Sequence, residues 1–534
     1  MPSQAQIDQD WEQNNHLPTT QTGESPQSQV EARRGRYHPV AFVLICLTIV
    51  FILDFAAYLL VAPATRLFED IACRSYYDEH DPDRFKYPHE IPEDQCKINP
   101  VQGEVALVQG LGASFDAIPS ILLAIPFGRL SDNPKFGRKK VLVLSMLGLV
   151  LNVWWSVLVC WFPHIFPLRA VWFGSIFNFI GGGLAVANAM IITMIGDIID
   201  SDNRATAFFQ LGLAPVIAQL IAPSVSSWMM QHEGVRPAYL FATGCFTAGV
   251  PLLLLLPETV HLRFLKESDG CDRVVVEDDA SQVDPPKGRV RALFHGLIRS
   301  TSFVTRNRPV LLLLSTFFLS VLGRSQINLL LQYVSKRYQM PLSKASLALS
   351  LYAAMNIVML FLLLPAASRY LTTRLHFSPS SKDLWMSKMS VIALILGCFV
   401  LGISPTFAVM VVGLAVYSVG SGFNAVCLSM ITTFIDAEYT ARLYSIVVLV
   451  STMGAFVGAP TLAALFNAGL NVGAEWAGLP FVASGLLHVF IAVALWFVRL
   501  PKSASALSSS TASQEETLVD EEETAPLLPT DVDG

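Results

Sequence analysis

The chain has 534 residues, of which 53% are hydrophobic and 15% charged, with a net charge of −6 and a mean hydropathy of +0.50. So apolar a composition lies outside ordinary globular usage and excludes a string of soluble domains; it is that of a membrane protein. The apolar runs are too long and continuous for barrel strands, which leaves membrane-crossing helices of about 20 residues each.

In chain order, residues 1–39 are rich in Gln, Ser and Thr, cannot bury a core, and are expected to form a disordered cytoplasmic tail. No cleavable signal peptide precedes the first apolar run. Spans are predicted at roughly 40–64, 105–129, 141–161, 170–198, 205–229, 238–257, 309–332, 345–368, 385–404, 407–433, 442–467 and 476–498. This is an all-α membrane protein with twelve transmembrane helices, six in a bundle at 40–257 and six at 309–498. A basic loop, 258–308, separates the bundles, and a Ser-rich then acidic tail, 499–534, is expected to be disordered. About 25 of the 36 Lys and Arg fall on the side of the termini and about 10 on the other, so both termini and the central loop are expected in the cytoplasm. The first outer loop, 65–104, is long and acidic and holds Cys73 and Cys96. The remaining cysteines lie in spans or, for Cys271, in the cytoplasmic loop, so a Cys73–Cys96 disulfide is predicted in the oxidising compartment.

An internal repeat supports the division into six and six. GGGLAVANAMIITMIGDIIDSDNR, ending at Arg204, parallels GSGFNAVCLSMITTFIDAEYTAR, ending at Arg442. Gly183 pairs with Gly422, Thr193 with Thr432 and Asp197 with Asp436 at one spacing; Arg204 and Arg442 follow after a one-residue gap. Ala222-Pro223 matches Ala459-Pro460, and Pro126 matches Pro365. Internal repeats in this order mark secondary transporters.

Between the second and third spans stands GRLSDNPKFGRKK, residues 128–140. Gly128 is expected to let two helices approach closely, Asp132 to cap or charge-pair with a helix N-terminus of the other half, and the basic cluster, Arg129 and Arg138 included, to hold the hairpin in the cytoplasm. The stretch resembles the G-x-L-x-D-x-x-G-R-K motif of the major facilitator superfamily, and Pro257-Glu258-Thr259 resembles the usual end of that family's sixth helix. The resemblance covers the chain between its tails. Its nearest flavour is the branch of proton-coupled folate transporters and tetracycline/proton antiporters, including fungal-type metabolite transporters. Three departures stand out: Gly137 follows Asp132 by five residues instead of three, through an insertion within Asn133–Phe136, the family's second-half copy of the motif is eroded, and the fourth span lacks its usual Arg. The resemblance implies that the hairpin is a latch biasing the outward-open state, with Asp132 and Arg138 its main members, and that Asp197 and Arg204 belong to a gating loop. The plainer reading of the hairpin is a positive-inside anchor.

Three charges lie near span centres: Asp54 in the first, Asp116 in the second and Arg324 in the seventh. An ionisable group at such depth is a functional candidate, though a static ion pair is the competing reading. The first and seventh spans line the central cavity in the family the chain resembles, so Asp54 and Arg324 are expected to face each other. Arg stays protonated, so two carboxylates and one guanidinium leave one negative charge unmatched. Asp54 is the expected proton carrier, and Arg324 the partner of Asp54 or of an anionic substrate. Gln326 and Asn328 are further substrate candidates, with Gln332, Asn356, Asn188 and Asn424 behind them; such amides also serve as links between helices. His488 in the last span reads as an interfacial packing residue.

No G-x-x-x-x-G-K-[ST] loop, no H-E-x-x-H motif and no Cys or carboxylate set with metal-ligand spacing occurs in the sequence. No enzyme, cofactor, metal or nucleic-acid partner is expected. The sequence reads as a secondary transporter of a small organic molecule by alternating access, with proton-coupled export placed ahead of uptake and of a transporter-like sensor. A monomer in a lipid bilayer is expected, in the plasma membrane. The alternative is a vacuolar or endosomal membrane, since ETAPLL at Glu523 to Leu528 fits an acidic dileucine signal for a sorting adaptor at the C-tail.

Overall fold

The computed structural model describes residues 39–81, 91–133, 135–199, 201–260, 308–375, 377, 379–432 and 440–497. Within them, twelve spans are long and apolar enough to cross a membrane. The first six are α1 (Ala41–His80), α2 (Asn99–Ser131), α3 (Arg138–Trp161), α4 (Leu168–Ile198), α5 (Gln210–His232) and α6 (Val235–Leu255). The second six are α7 (Arg308–Arg337), α8 (Leu342–Thr373), α9 (Ser381–Ile403), α10 (Phe407–Thr432), α11 (Ile446–Val472) and α12 (Glu475–Phe497). One end of the bundle carries the 128–140 hairpin; the other carries a disulfide between Cys73 and Cys96, whose Cα atoms are 5.3 Å apart.

The first span is longer than its apolar run, continuing past residue 64 to His80. Charged residues extend it because they pair along the helix: Arg66 lies 3.0 Å from Glu69, and Arg74 lies 3.5 Å from Asp70. Between those charges Leu67, Phe68 and Ile71 pack against Val101, Val105 and Val108 of α2. The loop expected at 65–104 is correspondingly shorter.

Several spans are broken, and the breaks of α4 and α10 match the sequence repeat. In α4 a 3-10 segment, Leu168–Ile180, gives way to an α-helix, Gly183–Ile198. Gly182 sits between them at φ +84°, a conformation that favours glycine. The carbonyls freed at the break are met by hydroxyls: Ser145 Oγ donates to Gly181 O at 2.6 Å and Ser120 Oγ to Gly182 O at 3.0 Å. Its repeat partner α10 breaks at the same place, with helices Phe407–Val419 and Phe423–Thr432 on either side of Gly420 to Gly422. In α7 the helix Arg308–Arg324 passes through a 3-10 turn, Ser325–Leu329, before resuming, and α8 carries a π-helical turn, Met359–Leu363.

The bundles meet along two seams. At α2 and α11, Gly110 lets the backbones close, for a Cβ there would lie 2.6 Å from Ala463 Cβ and 2.9 Å from Ala459 O. Ser114 Oγ donates to Phe456 O at 2.6 Å, and Asn99 Nδ2 to Leu470 O at 2.7 Å. At α5 and α8, Ser224 bonds Ser350 at 3.0 Å and Ser346 Oγ donates to Pro223 O at 3.2 Å. The disulfide end adds a charged clasp. Lys97 pairs with Glu93 at 3.1 Å and donates to Ser335; Lys336 donates to Lys97 O; and Leu342 N–H donates to Glu93 at 2.6 Å. These cross-bundle hydrogen bonds lie between the disulfide end and mid-depth.

Candidate functional site

A cavity of about 280 Å³ lies on the hairpin side of the α5–α8 seam. Its polar lining is Tyr58 of α1, Gln219 of α5, Arg324 of α7, Tyr352 and Asn356 of α8, and Ser421 of α10; Val216, Ile327 and Leu360 supply apolar surface. Both bundles therefore contribute. The position is set by the irregular backbone described above. Arg324 ends the first helix of α7 just before its 3-10 turn, Asn356 precedes the π turn of α8, and Ser421 lies within the break of α10. Broken helices at mid-depth expose polar groups to a cavity without exposing them to lipid.

Arg324 interacts with Tyr352 and stands beside Tyr417, whose ring centroid is 6.2 Å from that of Tyr352. No carboxylate among the described residues is its ion-pair partner. Asp54 is half-buried on α1, one helical turn from Tyr58, and forms no ion pair with Arg324 in this conformation. The expected facing pair is thus not closed: both side chains border the region of Tyr58 but do not meet. Gln326 points away from the cavity into the second bundle, where its Nε2 lies 3.2 Å from Cys398 Sγ. Asn328 is exposed and takes no part in the cavity lining. The 3-10 turn causes this, because it rotates residues 325–329 away from the register of a continuous helix. Gln332 donates to Gln109 at 2.6 Å across the bundles, and Asn424 accepts from Ser320 at 2.8 Å. His488 is fully buried within the second bundle, not interfacial, with Nδ1 2.7 Å from Ser484 O.

Asp116 has a different setting. Asn152 Nδ2 of α3 and Ser175 Oγ and Asn178 Nδ2 of α4 all donate to its Oδ1, at 2.9, 2.7 and 2.8 Å. It ties three helices of one bundle together and lies outside the cavity lining.

At the hairpin, Arg138 is buried and forms an ion pair with Asp197; it also donates to Thr193 O at 3.0 Å and lies 3.6 Å from Asp132. Thr259 Oγ1 donates to the same Asp197 carboxylate at 3.0 Å. Glu258 sits at the start of α3 and accepts from the N–H of Arg138 at 2.9 Å and of Lys139 at 3.2 Å. A carboxylate there matches the helix dipole. Gly137 (φ +85°) leaves room for it, since a Cβ would collide with the Glu258 carboxylate. Asp132 is half-exposed and pairs with Arg138 of its own hairpin. One expectation is corrected here: a Cβ at Gly128 would meet nothing within 4 Å, so no close helix approach occurs at that glycine in this conformation. Arg129 is exposed. The Arg204 and Arg442 side chains and Asp436 lie outside the described residues.

Comparison with known proteins agrees with this architecture. The Major Facilitator Superfamily profile matches residues 43–379. The chain is 34% identical over 466 residues to the MFS efflux pump atnC of Emericella nidulans, covering 86% of this chain and 88% of that one. It is 30% identical over 456 residues to the efflux pump ustT of Aspergillus flavus, covering 84% and 87%. Among solved structures, a D-xylose-proton symporter superposes with a TM-score of 0.57 at 13% identity, covering 86% of this chain and 97% of that one. The nucleoside transporter NupG gives 0.57 at 13%, covering 86% and 100%. The chain belongs to the Major Facilitator Superfamily and is a multi-pass membrane transporter, not an enzyme.

Proposed function

We propose that this protein exports a small organic metabolite across a cellular membrane by alternating access, coupled to protons. The observation that carries the reading is the cavity at Arg324, lined by both bundles and roofed by the α5–α8 seam. With the termini in the cytoplasm, as the Lys and Arg bias indicates, the sealed disulfide end faces outward and the conformation is inward-facing. Relatives at 34% and 30% identity bear the names of efflux pumps, which supports export over uptake. Asp54 takes the proton-carrying role: it lies on a cavity-lining helix and has no ion-pair partner among the described residues, whereas Asp116 is held by three donors. Gly128, Arg129, Asp132, Gly137, Arg138, Asp197 and Arg204 form the cytoplasmic gate, Asp132 changing partner when that side closes. The protein acts as a monomer in the plasma membrane.

An extract-wide comparison of compounds inside and outside cells, with and without this protein, tests the reading. Loss of particular compounds from the medium, with their accumulation inside, is expected on deletion. Depletion inside the cells that lack it would indicate uptake, and no change in any compound would contradict transport.

A further inference from the structure

We infer that the cavity at Arg324 is an acid-binding site, and that the transported molecule carries a carboxylate, or an equivalent anion, with a hydrogen-bond donor beside it. The inference rests on the transporter reading and specifies what the site takes.

Three observations lead there. Among the described residues, Arg324 is the one charged member of the cavity lining and no carboxylate pairs with it. A guanidinium away from water is costly to leave unmatched, and its planar fork suits a carboxylate held through two hydrogen bonds. Next, Asn356 is 92% buried, lines the cavity and has an Oδ1 without a hydrogen-bond partner; Ser421 Oγ, in the same lining, is also unpartnered. Buried acceptors of this kind are normally satisfied, so an N–H or O–H of the bound molecule is their natural complement. Last, Val216, Ile327 and Leu360 give the same cavity an apolar wall, and its volume of about 280 Å³ is at the small end of ligand pockets. The site therefore grips an acid head with a short apolar attachment. Asp116 does not compensate Arg324, since its charge is taken up by Asn152, Ser175 and Asn178 in the other bundle.

The test uses purified full-length protein in lipid nanodiscs and three small probes: 3-phenyllactate, its amide, and 3-phenylpropanoate, which lacks the hydroxyl. Binding is read from the shift in thermal-unfolding midpoint with probe concentration. The acid should bind at least about tenfold tighter than its amide, as expected for loss of one charged hydrogen-bonded contact. Phenylpropanoate should fall between them. Arg324→Gln should erase the difference between acid and amide, Arg324→Lys should keep part of it, and Asn356→Leu should erase the difference between phenyllactate and phenylpropanoate. Equal binding of acid and amide, no response to the acid, or a preference that survives Arg324→Gln would each overturn the inference. If the variants are not recovered folded, the acid–amide comparison on the unaltered protein decides alone. The two readings fail separately. Compounds exported by cells that prove neutral or cationic would reject the acid site and leave transport standing. Arg324-dependent acid binding in a protein that moves no compound would do the reverse.

Discussion

The two bundles treat a charge buried at mid-depth in opposite ways. In the first, Asp116 receives hydrogen bonds from Asn152, Ser175 and Asn178, which hold α2, α3 and α4 together, although Asn178 Oδ1 itself is buried without a hydrogen-bond partner among the described residues. In the second, Arg324 has no carboxylate partner among the described residues. Around it Asn356 Oδ1, Ser421 Oγ and His488 Nε2 are buried without hydrogen-bond partners among the described residues. A satisfied network rigidifies; an unsatisfied one is costly unless something else completes it. On the proposed reading, the second bundle is the one whose polar interior a substrate completes. The exception in the first is Asp54, half-buried on α1 one helical turn from Tyr58 of the cavity lining.

The largest effect is expected at that exception. Asp54→Asn should abolish gradient-driven accumulation in reconstituted vesicles while leaving substrate binding measurable; full accumulation by this variant would remove Asp54 from the coupling role. Asp116→Ala sharpens the contrast from the other side. It strands three buried donors, so thermal stability in nanodiscs should fall by about 2 kcal/mol or more, while transport per folded molecule changes little. An undiminished unfolding midpoint would show that the network is not structural.

Cys73→Ser tests the frame at the sealed end. The bridge closes a 23-residue separation next to the clasp of Glu93, Lys97 and Lys336. Its loss should lower stability by about 3 kcal/mol in the chain-entropy model, seen as an earlier unfolding transition that reducing agent reproduces in the parent protein. The smallest effect belongs to the hairpin. Asp132→Asn should shift the balance between conformations by about 1 kcal/mol away from outward-open, with folding unchanged. Cysteine-accessibility labelling from both sides reads this directly, and identical labelling would reduce the hairpin to an anchor.

Much of this architecture is legible in the sequence, because a bilayer demands about 20 apolar residues per crossing and those runs are unmistakable. Where charge and apolarity mix, the boundary is missed: α1 continues to His80 on ion pairs that hydropathy counts as solvent-exposed loop. The breaks of α4 and α10 are not foreseen: Gly183 and Gly422 mark the repeat, but glycine runs alone do not say whether a helix bends or ends. Arg324 stands out as a charge in a span, but its neighbours Tyr352, Asn356 and Ser421 come from two other spans, and no spacing along one helix brings them together. Likewise, nothing local links Asp116 to Asn152 or Ser175. Glu258 was visible in Pro257-Glu258-Thr259 as a family signature, yet its partners at the start of α3 lie about 120 residues away.

The contrast between the bundles is tested most directly by measuring uptake into inside-out vesicles for the parent protein, Arg324→Gln and Asp116→Asn, each normalised to folded protein, with the compound found to be retained by cells lacking the transporter. The account predicts loss of at least about tenfold for Arg324→Gln, the size of one charged contact to substrate, and near-parental rates for Asp116→Asn. Parental rates for Arg324→Gln together with a loss for Asp116→Asn would contradict it and place the working charge in the first bundle.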